Sequence, residues 1–270
     1  MAEDGAGDLP AMLDFAVELA EAVAPIALRY FRTPLEVRNK LAGSAFDPVT
    51  RADHEVEAFI RDAIARRFPD HGILGEEHGR TAGTGAWEWV IDPIDGTRAF
   101  ISGSPMWGTL IGLVRENRPI AGVVHIPYLR ESFYAGPSGA WMRRDGERWQ
   151  LRARPTTALS EAILYCTHPA TFTDDGDRSA FGRVAARCRL LRYGGDCYSY
   201  CMLALGQVDL IIEGSLQPYD IIPIIPIVTA AGGMISDVRG DSAQHGGVIV
   251  AAANAALHRQ ALALMQDGQR

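Results

Sequence analysis

The chain has 270 residues, of which 47% are hydrophobic and 22% are charged, values typical of a globular protein with a sizeable buried core. The formal net charge of -7 argues against nucleic acid as a partner, because binding a phosphate backbone needs concentrated Lys and Arg. A small phosphate ester stays compatible with this charge, since bound divalent cations can reverse the field locally.

No segment has the pattern of a membrane span or a signal peptide. The apolar stretch 221–231 is too short for a bilayer and contains Pro223 and Pro226, and the N-terminus is acidic rather than basic-then-apolar. The four cysteines have no zinc-binding spacing and need no disulfide framework, so we expect buried free thiols. These features predict a soluble protein of the cytoplasm without a membrane partner.

The first half of the chain is predicted to combine two helices with many short strands. Apolar residues at helical spacing predict helices over residues 11–31 and 53–68, the second ended by Pro69. Strands are predicted at 72–75 and 87–91, each followed by acidic residues, and then at 106–115, 120–126, 132–135, 140–143 and 149–153, with 116–119 joining a hairpin.

The second half of the chain alternates between strands and helices. This alternation implies an α/β arrangement with crossover connections, and we find no internal repeat or low-complexity linker. A boundary near Thr157 is therefore expected between two packed halves: 1–157, an α+β half with metal-binding loops, and 158–270, an α/β half with substrate-specificity elements. The predicted strands are 163–166, 189–193, 208–213 and 247–252, and the predicted helices are 177–188, 198–205, 221–231 and 255–265.

Carboxylates follow two successive strands of the first half. Glu76 lies at the end of one predicted strand, and Asp92 and Asp95 lie at the end of the next. Pro93 biases Asp92 toward extended backbone and fixes the φ that follows, so the chain turns sharply there. Two carboxylates and the Ile94 carbonyl can then point at one place, as the oxygen ligands of a hard cation such as Mg²⁺ do.

The next two residues suit a phosphate group. Gly96 permits close backbone approach, and Thr97 is expected to cap a following helix whose N-terminal amides would face a phosphate.

Each acidic residue also has a purely structural interpretation. Asp53 fits the N-cap of the second helix, and Asp220 lies just before another helix. The acidic pair at 76–77 fits a solvated loop, and residues 95–96 fit a common turn. Taken together, the positions favour a site at the C-terminal ends of strands over these separate roles.

The ordered motifs of the chain resemble those of the inositol monophosphatase superfamily. These motifs are GEE at 75–77, WVIDPIDGT at 89–97 followed by Phe100, PYD at 218–220 and AAGG at 230–233. The resemblance extends over nearly the whole chain, and the ordered set is very specific although any one motif alone is weak. It implies an α/β fold, a layered αβαβα sandwich of the inositol monophosphatase and sugar phosphatase type, and a homodimer.

The resemblance also implies a cofactor of two or three Mg²⁺ ions. Asp53 is one of the implied metal ligands because the stretch 47–53 also matches the family. The implied ligands are Glu76, Asp92 and the Ile94 carbonyl for a first ion, Asp92, Asp95 and Asp220 for a second, and Glu76 with Asp53 for a weaker third.

The implied reaction is hydrolysis of a phosphomonoester without a phospho-enzyme intermediate. A water oriented by Glu76 and Thr97 would attack phosphorus in line, and the amides of Gly96 and Thr97 would bind the phosphate. Asp95 and Asp220 would also face the substrate. Loss of Asp92, Asp95 or Asp220 should lower activity by at least ~10²-fold, the scale of a single electrostatic stabiliser.

Two segments resemble the histidinol-phosphate phosphatase branch of this superfamily. One is 98–113, where an inositol phosphatase would more typically show Thr-Asn-Phe after the Gly-Thr, and the other is 193–200 together with 216–220. Histidinol phosphate carries an ammonium and an imidazole, which Asp196 and Glu213 are placed to pair with. Both residues also have structural interpretations: a helix N-cap for Asp196 and an exposed acid at a strand end for Glu213.

The sequence leaves other functions open. The alternatives are an inositol-1-phosphate or broad sugar-phosphate phosphatase and a 3′-phosphonucleotide phosphatase. Fructose bisphosphate is disfavoured, since no Arg/Lys cluster for a second phosphate is apparent. A non-catalytic, metal-dependent protein that binds phospho-ligands would need a damaged acidic set, whereas every expected carboxylate is present.

Overall fold

The computed structural model describes residues 9–34, 37–39 and 48–267. Asp47, which begins the stretch 47–53 noted above, lies outside the described residues. Across the described part of the chain, no helix is both long enough and apolar enough to cross a membrane. The cysteines of this part are all free thiols, as the sequence predicts; three of them are buried, whereas Cys188 is partly exposed.

Two N-terminal helices form one outer layer. Helix α1 spans Leu9–Leu28 and α2 spans Arg51–Arg67, and they contact each other and the first large sheet. Both predicted helices are confirmed, although α1 ends at Leu28 rather than at residue 31. A short ribbon of β1 (Arg38–Asn39) and β2 (Pro48–Val49) precedes α2.

The first large sheet has eight strands in the order β10-β9-β8-β7-β6-β5-β3-β4. Its pairs are antiparallel except for β3 and β5, which run parallel and bring their carboxyl ends to the same edge. The strands are β3 (Gly72–Gly75), β4 (Gly79–Thr81), β5 (Trp87–Asp95), β6 (Gly108–Arg115), β7 (Arg118–Ile126), β8 (Glu131–Gly136), β9 (Gly139–Arg144) and β10 (Glu147–Gln150).

The predicted hairpin is confirmed, with a tighter turn than expected. Only Glu116 and Asn117 separate β6 from β7, and both have positive φ angles, of 50° and 62°. A two-residue turn with this backbone matches the right-handed twist of the flanking strands, so Arg118 already pairs with Arg115.

The second sheet has five strands in the order β12-β11-β13-β15-β14. The predicted helix 221–231 is wrong as a single helix: it is two short helices separated at Pro223, which has no backbone N–H to continue the first. The elements are α3 (Thr97–Ser102), β11 (Ile163–Cys166), α4 (Asp175–Ala185), β12 (Leu190–Tyr193), α5 (Asp196–Ala204), β13 (Leu210–Leu216), α6 (Pro218–Ile221), α7 (Ile224–Ala230), β14 (Met234–Asp237), β15 (Gly247–Ala252) and α8 (Ala255–Gln266).

The layers stack as the sequence resemblance implies. Helices α1 and α2 cover the outer face of the eight-stranded sheet, α5 and α7 lie between the two sheets, and α4 and α8 cover the outer face of the five-stranded sheet. The predicted αβαβα sandwich is confirmed. The middle core contains residues from both halves of the chain, so the boundary near Thr157 stays a prediction.

A pair of glycines lets the α6–α7 junction contact the first sheet directly. Gly112 and Gly122 face each other across β6 and β7. A Cβ on Gly122 would lie 1.9 Å from the Pro223 carbonyl oxygen, and one on Gly112 would lie 3.1 Å from Cγ2 of Ile222. The missing side chains therefore determine how closely α6, which carries Asp220, approaches the sheet.

Gly122→Ala should destabilise the protein, because the new Cβ meets backbone that cannot move without shifting α6 and α7. We expect a loss of about 1–3 kcal/mol, the usual cost of overpacking, and a melting temperature lower by several degrees. Gly182→Ala in α4 is the control: its Cβ meets no atom within 4 Å, so the substitution should stabilise by about 0.5–1 kcal/mol. Thermal denaturation of both variants measures this, and equal melting temperatures would contradict the packing argument.

Candidate active site

Three carboxylates from two distant segments meet at the end of β5. One oxygen each of Asp92, Asp95 and Asp220 lies within 4.8 Å of the other two. A bulge between Asp92 and Asp95 in the pairing with β6 brings both side chains toward this place, and α6 supplies Asp220. Oxygen ligands at this spacing suit a hard divalent cation, so the donor set fits Mg²⁺.

Glu76 joins this cluster through the parallel pairing of β3 and β5. Gly75 is in register with Ile91, and the backbone N–H of Glu76 donates to the Ile91 carbonyl at 3.2 Å. Burial raises the pKa of Asp92 well above its usual range, and the charges of Glu76, Asp95 and Asp220 raise it further. The protein therefore places mutually repelling acids together around one buried carboxylate.

Backbone N–H groups hold the other two acids in place. The N–H of Cys197 donates to Asp95 Oδ2 at 2.7 Å, and that of Gln217 donates to Asp220 Oδ2 at 2.7 Å. Burial nevertheless raises the pKa of both carboxyls, and for Asp220 the nearby charge of Asp95 adds to the effect. Asp220 is the third residue of its helix, in a capping box with Gln217, rather than a residue before the helix.

Asp53 is buried at the start of α2, but it is not the N-cap. Thr50 is the N-cap, and its N–H and Oγ1 both donate to Asp53 Oδ2, at 2.9 and 2.6 Å. The N-cap interpretation is therefore wrong by three residues. Burial raises the pKa of Asp53 to about 6, and the charge of Glu77 adds to the rise, so Asp53 faces the acidic turn after β3. Its role toward a third ion stays a prediction.

The turn after Asp95 differs in detail from the prediction. Gly96, with a φ of 82°, is the N-cap of α3, and Thr97 is the first helical residue, so capping by Thr97 is wrong. The hydroxyl of Thr97 instead donates to the Ile94 carbonyl at 3.1 Å. A Cβ on Gly96 would lie 3.1 Å from Asp196, which explains why a residue without a side chain occupies this turn.

Asp196 lies beside the cluster at the start of α5. The N-cap there is Gly195, with a φ of 118°, so the N-cap interpretation of Asp196 is also wrong. Burial raises the pKa of Asp196 to about 8, the charges of Asp95 and Glu213 add to this, and Arg98 partly opposes it. Asp196 itself has a φ of 44°, a left-handed conformation that Asp tolerates better than most residues.

Glu213 is buried rather than exposed, so the interpretation of it as a surface acid is wrong. Its carboxylate accepts hydrogen bonds from the backbone N–H of Thr167 at 2.8 Å and from the Tyr200 hydroxyl at 3.0 Å. Burial raises its pKa to about 7, with a further contribution from Asp95. Asp196 and Glu213 thus extend the acidic region from the cluster into the second half of the chain.

Sequence reasoning missed one buried acid close to this region. Glu57 on α2 is fully buried and accepts hydrogen bonds from the turn that follows β3. The sequence could have indicated Glu57, because residues four apart lie on the same face of a helix and Glu57 is four residues after Asp53.

Comparison with known proteins agrees with this geometry. The inositol monophosphatase family profile matches residues 8–270. A histidinol-phosphatase of Chlorobaculum parvum is 35% identical over 96% of this chain and 98% of its own length. A chloroplastic bifunctional phosphatase of Arabidopsis thaliana is 38% identical over 90% of this chain and 72% of its own length. An inositol monophosphatase structure from Zymomonas mobilis superposes with a TM-score of 0.84 at 34% identity, covering 95% of this chain and 98% of that one.

Other relatives are named as inositol monophosphatases and as fructose-1,6-bisphosphatase/inositol-1-monophosphatases. The family profile extends over almost the whole chain, and the matched relatives are phosphatases of small phosphate esters. The chain is therefore a phosphatase that belongs to the inositol monophosphatase family.

Proposed function

We propose that this phosphatase hydrolyses histidinol phosphate to histidinol and phosphate, a step of histidine biosynthesis, in a Mg²⁺-dependent reaction. The observation that carries the proposal is the placement of Asp196 and Glu213. Glu213 is buried and Asp196 is half-buried, and both lie close enough to the carboxylate cluster to interact with Asp95. A substrate with a phosphate at one end and cationic groups at the other fits this distribution of charge.

The metal requirement is supported by the family, whose members generally depend on Mg²⁺, and by the oxygen-only donor set. When bound, the ions would neutralise the phosphate and the charge that develops on the leaving oxygen. The proposed protein ligands are Glu76, Asp92, the Ile94 carbonyl, Asp95 and Asp220, with Asp53 and Glu76 at a weaker third position.

The protein's own groups are proposed to hold the phosphate and the attacking water. The backbone amides of Gly96 and Thr97 would donate to phosphate oxygens. Because the Thr97 hydroxyl donates its proton to the Ile94 carbonyl, its oxygen is left as an acceptor for a water proton. Glu76 would accept the other proton, so these two side chains would orient the water for in-line attack.

Specificity is proposed to come from charge beyond the phosphate. A substrate ammonium or imidazolium near Asp196 and Glu213 would offset the crowded negative charge, whereas a neutral inositol ring would leave it uncompensated. Both acids can accept hydrogen bonds from cationic N–H donors.

The second candidate is an inositol-1-phosphate or broad sugar-phosphate phosphatase, favoured by the relatives named for those substrates. A non-catalytic, metal-dependent binding protein is disfavoured, since Glu76, Asp92, Asp95 and Asp220 are all present in the chain. A cytoplasmic location and a homodimer, both expected from the sequence, stay part of the proposal.

A panel of phosphomonoesters with Mg²⁺ tests the substrate. The kcat/KM for histidinol phosphate should exceed that for inositol-1-phosphate by tenfold or more, a difference of about 1.4 kcal/mol in transition-state binding. Phosphate release is the readout, with a chelator as the control for metal dependence. A tenfold preference for inositol-1-phosphate would overturn the substrate, and no release from any ester would favour the binding protein.

Asp196→Asn should lower kcat/KM for histidinol phosphate by about tenfold, because the substrate cation loses a charged partner. Inositol-1-phosphate provides the internal control, since it has no cation to lose and its turnover should change little. Parallel losses on both substrates would instead show that Asp196 acts on the phosphate end of the site.

Asp92→Asn should stabilise the metal-free protein, because it removes one charge from the repelling cluster while keeping the acceptor for Ile94 N–H. In a chelator we expect the free energy of unfolding to increase by about 1 kcal/mol and the melting temperature to be a few degrees higher. We also expect Mg²⁺ no longer to raise the melting temperature of this variant.

The matched control is Asp209→Asn. Asp209 is equally buried but pairs with Arg154 at 3.2 Å, so its loss should lower the melting temperature. If Asp92→Asn also lowered it in a chelator, repulsion would not be the dominant energy at the cluster.

A further inference from the structure

A buried carboxylate lies beneath the turn that carries Glu76. Glu57 on α2 has no exposed surface, yet it belongs to neither the acidic cluster nor the hydrophobic cores. A buried charge of this kind is tolerated only where hydrogen bonds and an opposite charge satisfy it. The partners of Glu57 therefore show what the residue holds in place.

Two of these partners are the backbone amides that directly follow Glu76. The N–H of Glu77 donates to Glu57 Oε2 at 2.7 Å, and the N–H of His78 donates to Oε1 at 3.2 Å. Each carboxylate oxygen thus binds one amide of the turn between β3 and β4. Since Glu76 precedes both amides, its backbone is fixed on one side by the pairing with Ile91 and on the other by Glu57.

Arg61 completes the connection one helical turn further along α2. Its Nε donates to Glu57 Oε1 at 2.7 Å, and its Nη1 donates to the Thr81 hydroxyl at 3.1 Å. Its Nη2 donates to the Gly79 carbonyl. One guanidinium, mostly buried, therefore joins the carboxylate to the far end of the same turn.

The end of β3 is also shaped around this carboxylate. A Cβ on Gly75 would lie 2.1 Å from Glu57 Oε1, a distance that no side chain can occupy. Glycine at this position lets the strand pass directly over the carboxylate, so the backbone before Glu76 is in contact with Glu57 as well.

We propose that Glu57, supported by Arg61, is a positioning residue that sets the divalent-cation affinity of the site by fixing the backbone that presents Glu76. A ligand held in one orientation loses less freedom when it binds an ion, and groups that hold metal ligands commonly contribute 10–100-fold to affinity. The inference rests on the proposed role of Glu76 as a metal ligand.

The test is Mg²⁺ titrated calorimetrically into the metal-free full chain, with and without Glu57→Gln. Glutamine has the same shape, but its amide nitrogen would face an N–H of the turn or of Arg61, so at least one bond is lost. We expect Kd for Mg²⁺ to weaken about tenfold or more. The Mg²⁺ concentration for half-maximal activity should rise in parallel, with a smaller change in kcat at saturating Mg²⁺.

Glu21→Gln is the matched control. Glu21 also pairs with an arginine, Arg143 at 2.7 Å, but it lies on α1 and bonds to Ser132 rather than to the turn, so its loss should leave Kd for Mg²⁺ unchanged. A Glu57→Gln protein that melts at a lower temperature and binds Mg²⁺ like the wild type would overturn the inference, since Glu57 would then be structural only.

A second variant covers the case in which Glu57→Gln does not fold. Arg61→Gln keeps the Glu57 carboxylate and the hydrogen bonds that it accepts from the two backbone amides of the turn, and it removes the link to Gly79 and Thr81. The Kd for Mg²⁺ should therefore weaken, by a smaller factor than in Glu57→Gln. An unchanged Kd would overturn the inference. A wild-type chain that neither binds Mg²⁺ nor releases phosphate would refute the proposed function instead.

Discussion

Crowding of like charge at the end of β5 is the constraint on which the site depends. Carboxylate oxygens of three acids, one buried and two half-buried, lie within 4.8 Å of one another, so each raises the free energy of the others in the metal-free protein. Each of these acids accepts a hydrogen bond from a backbone N–H group, which offsets part of this repulsion. The donors are the amides of Ile94, Cys197 and Gln217, to Asp92, Asp95 and Asp220 respectively.

The arrangement of strands and helices brings these acids together. The parallel pairing of β3 and β5 puts Glu76 beside Asp92, and the bulge in β5 turns Asp95 toward the same point. Asp220 arrives from the far half of the chain because two facing glycines let α6 and α7 approach the sheet. Stability and chemistry are coupled here, since packing errors at the glycines also displace a proposed metal ligand.

Sequence patterns predicted the elements that depend on residues close together in the chain. The strands at 163–166 and 247–252 have the predicted ends, because each is a short apolar run bounded by turn residues. Strand β4 was missed because all three of its residues are exposed and show no alternation. Capping by Thr97 was wrong because a left-handed glycine replaced the expected cap, and the burial of Glu213 depends on Thr167 and Tyr200, which are distant in sequence. Tertiary contacts of this kind leave no local pattern.

The bond from the Cys197 amide to Asp95 joins residues 102 positions apart, across the two halves of the chain. During synthesis all eight strands of the first sheet, including β5 with Asp92 and Asp95, are made before α5 and α6. Until α6 packs against the sheet, Asp92 and Asp95 lack Asp220, the third acid of the cluster. The proposed metal site is therefore complete only once α6 has folded onto the sheet, and a chain truncated before Asp220 would lack one of its proposed ligands.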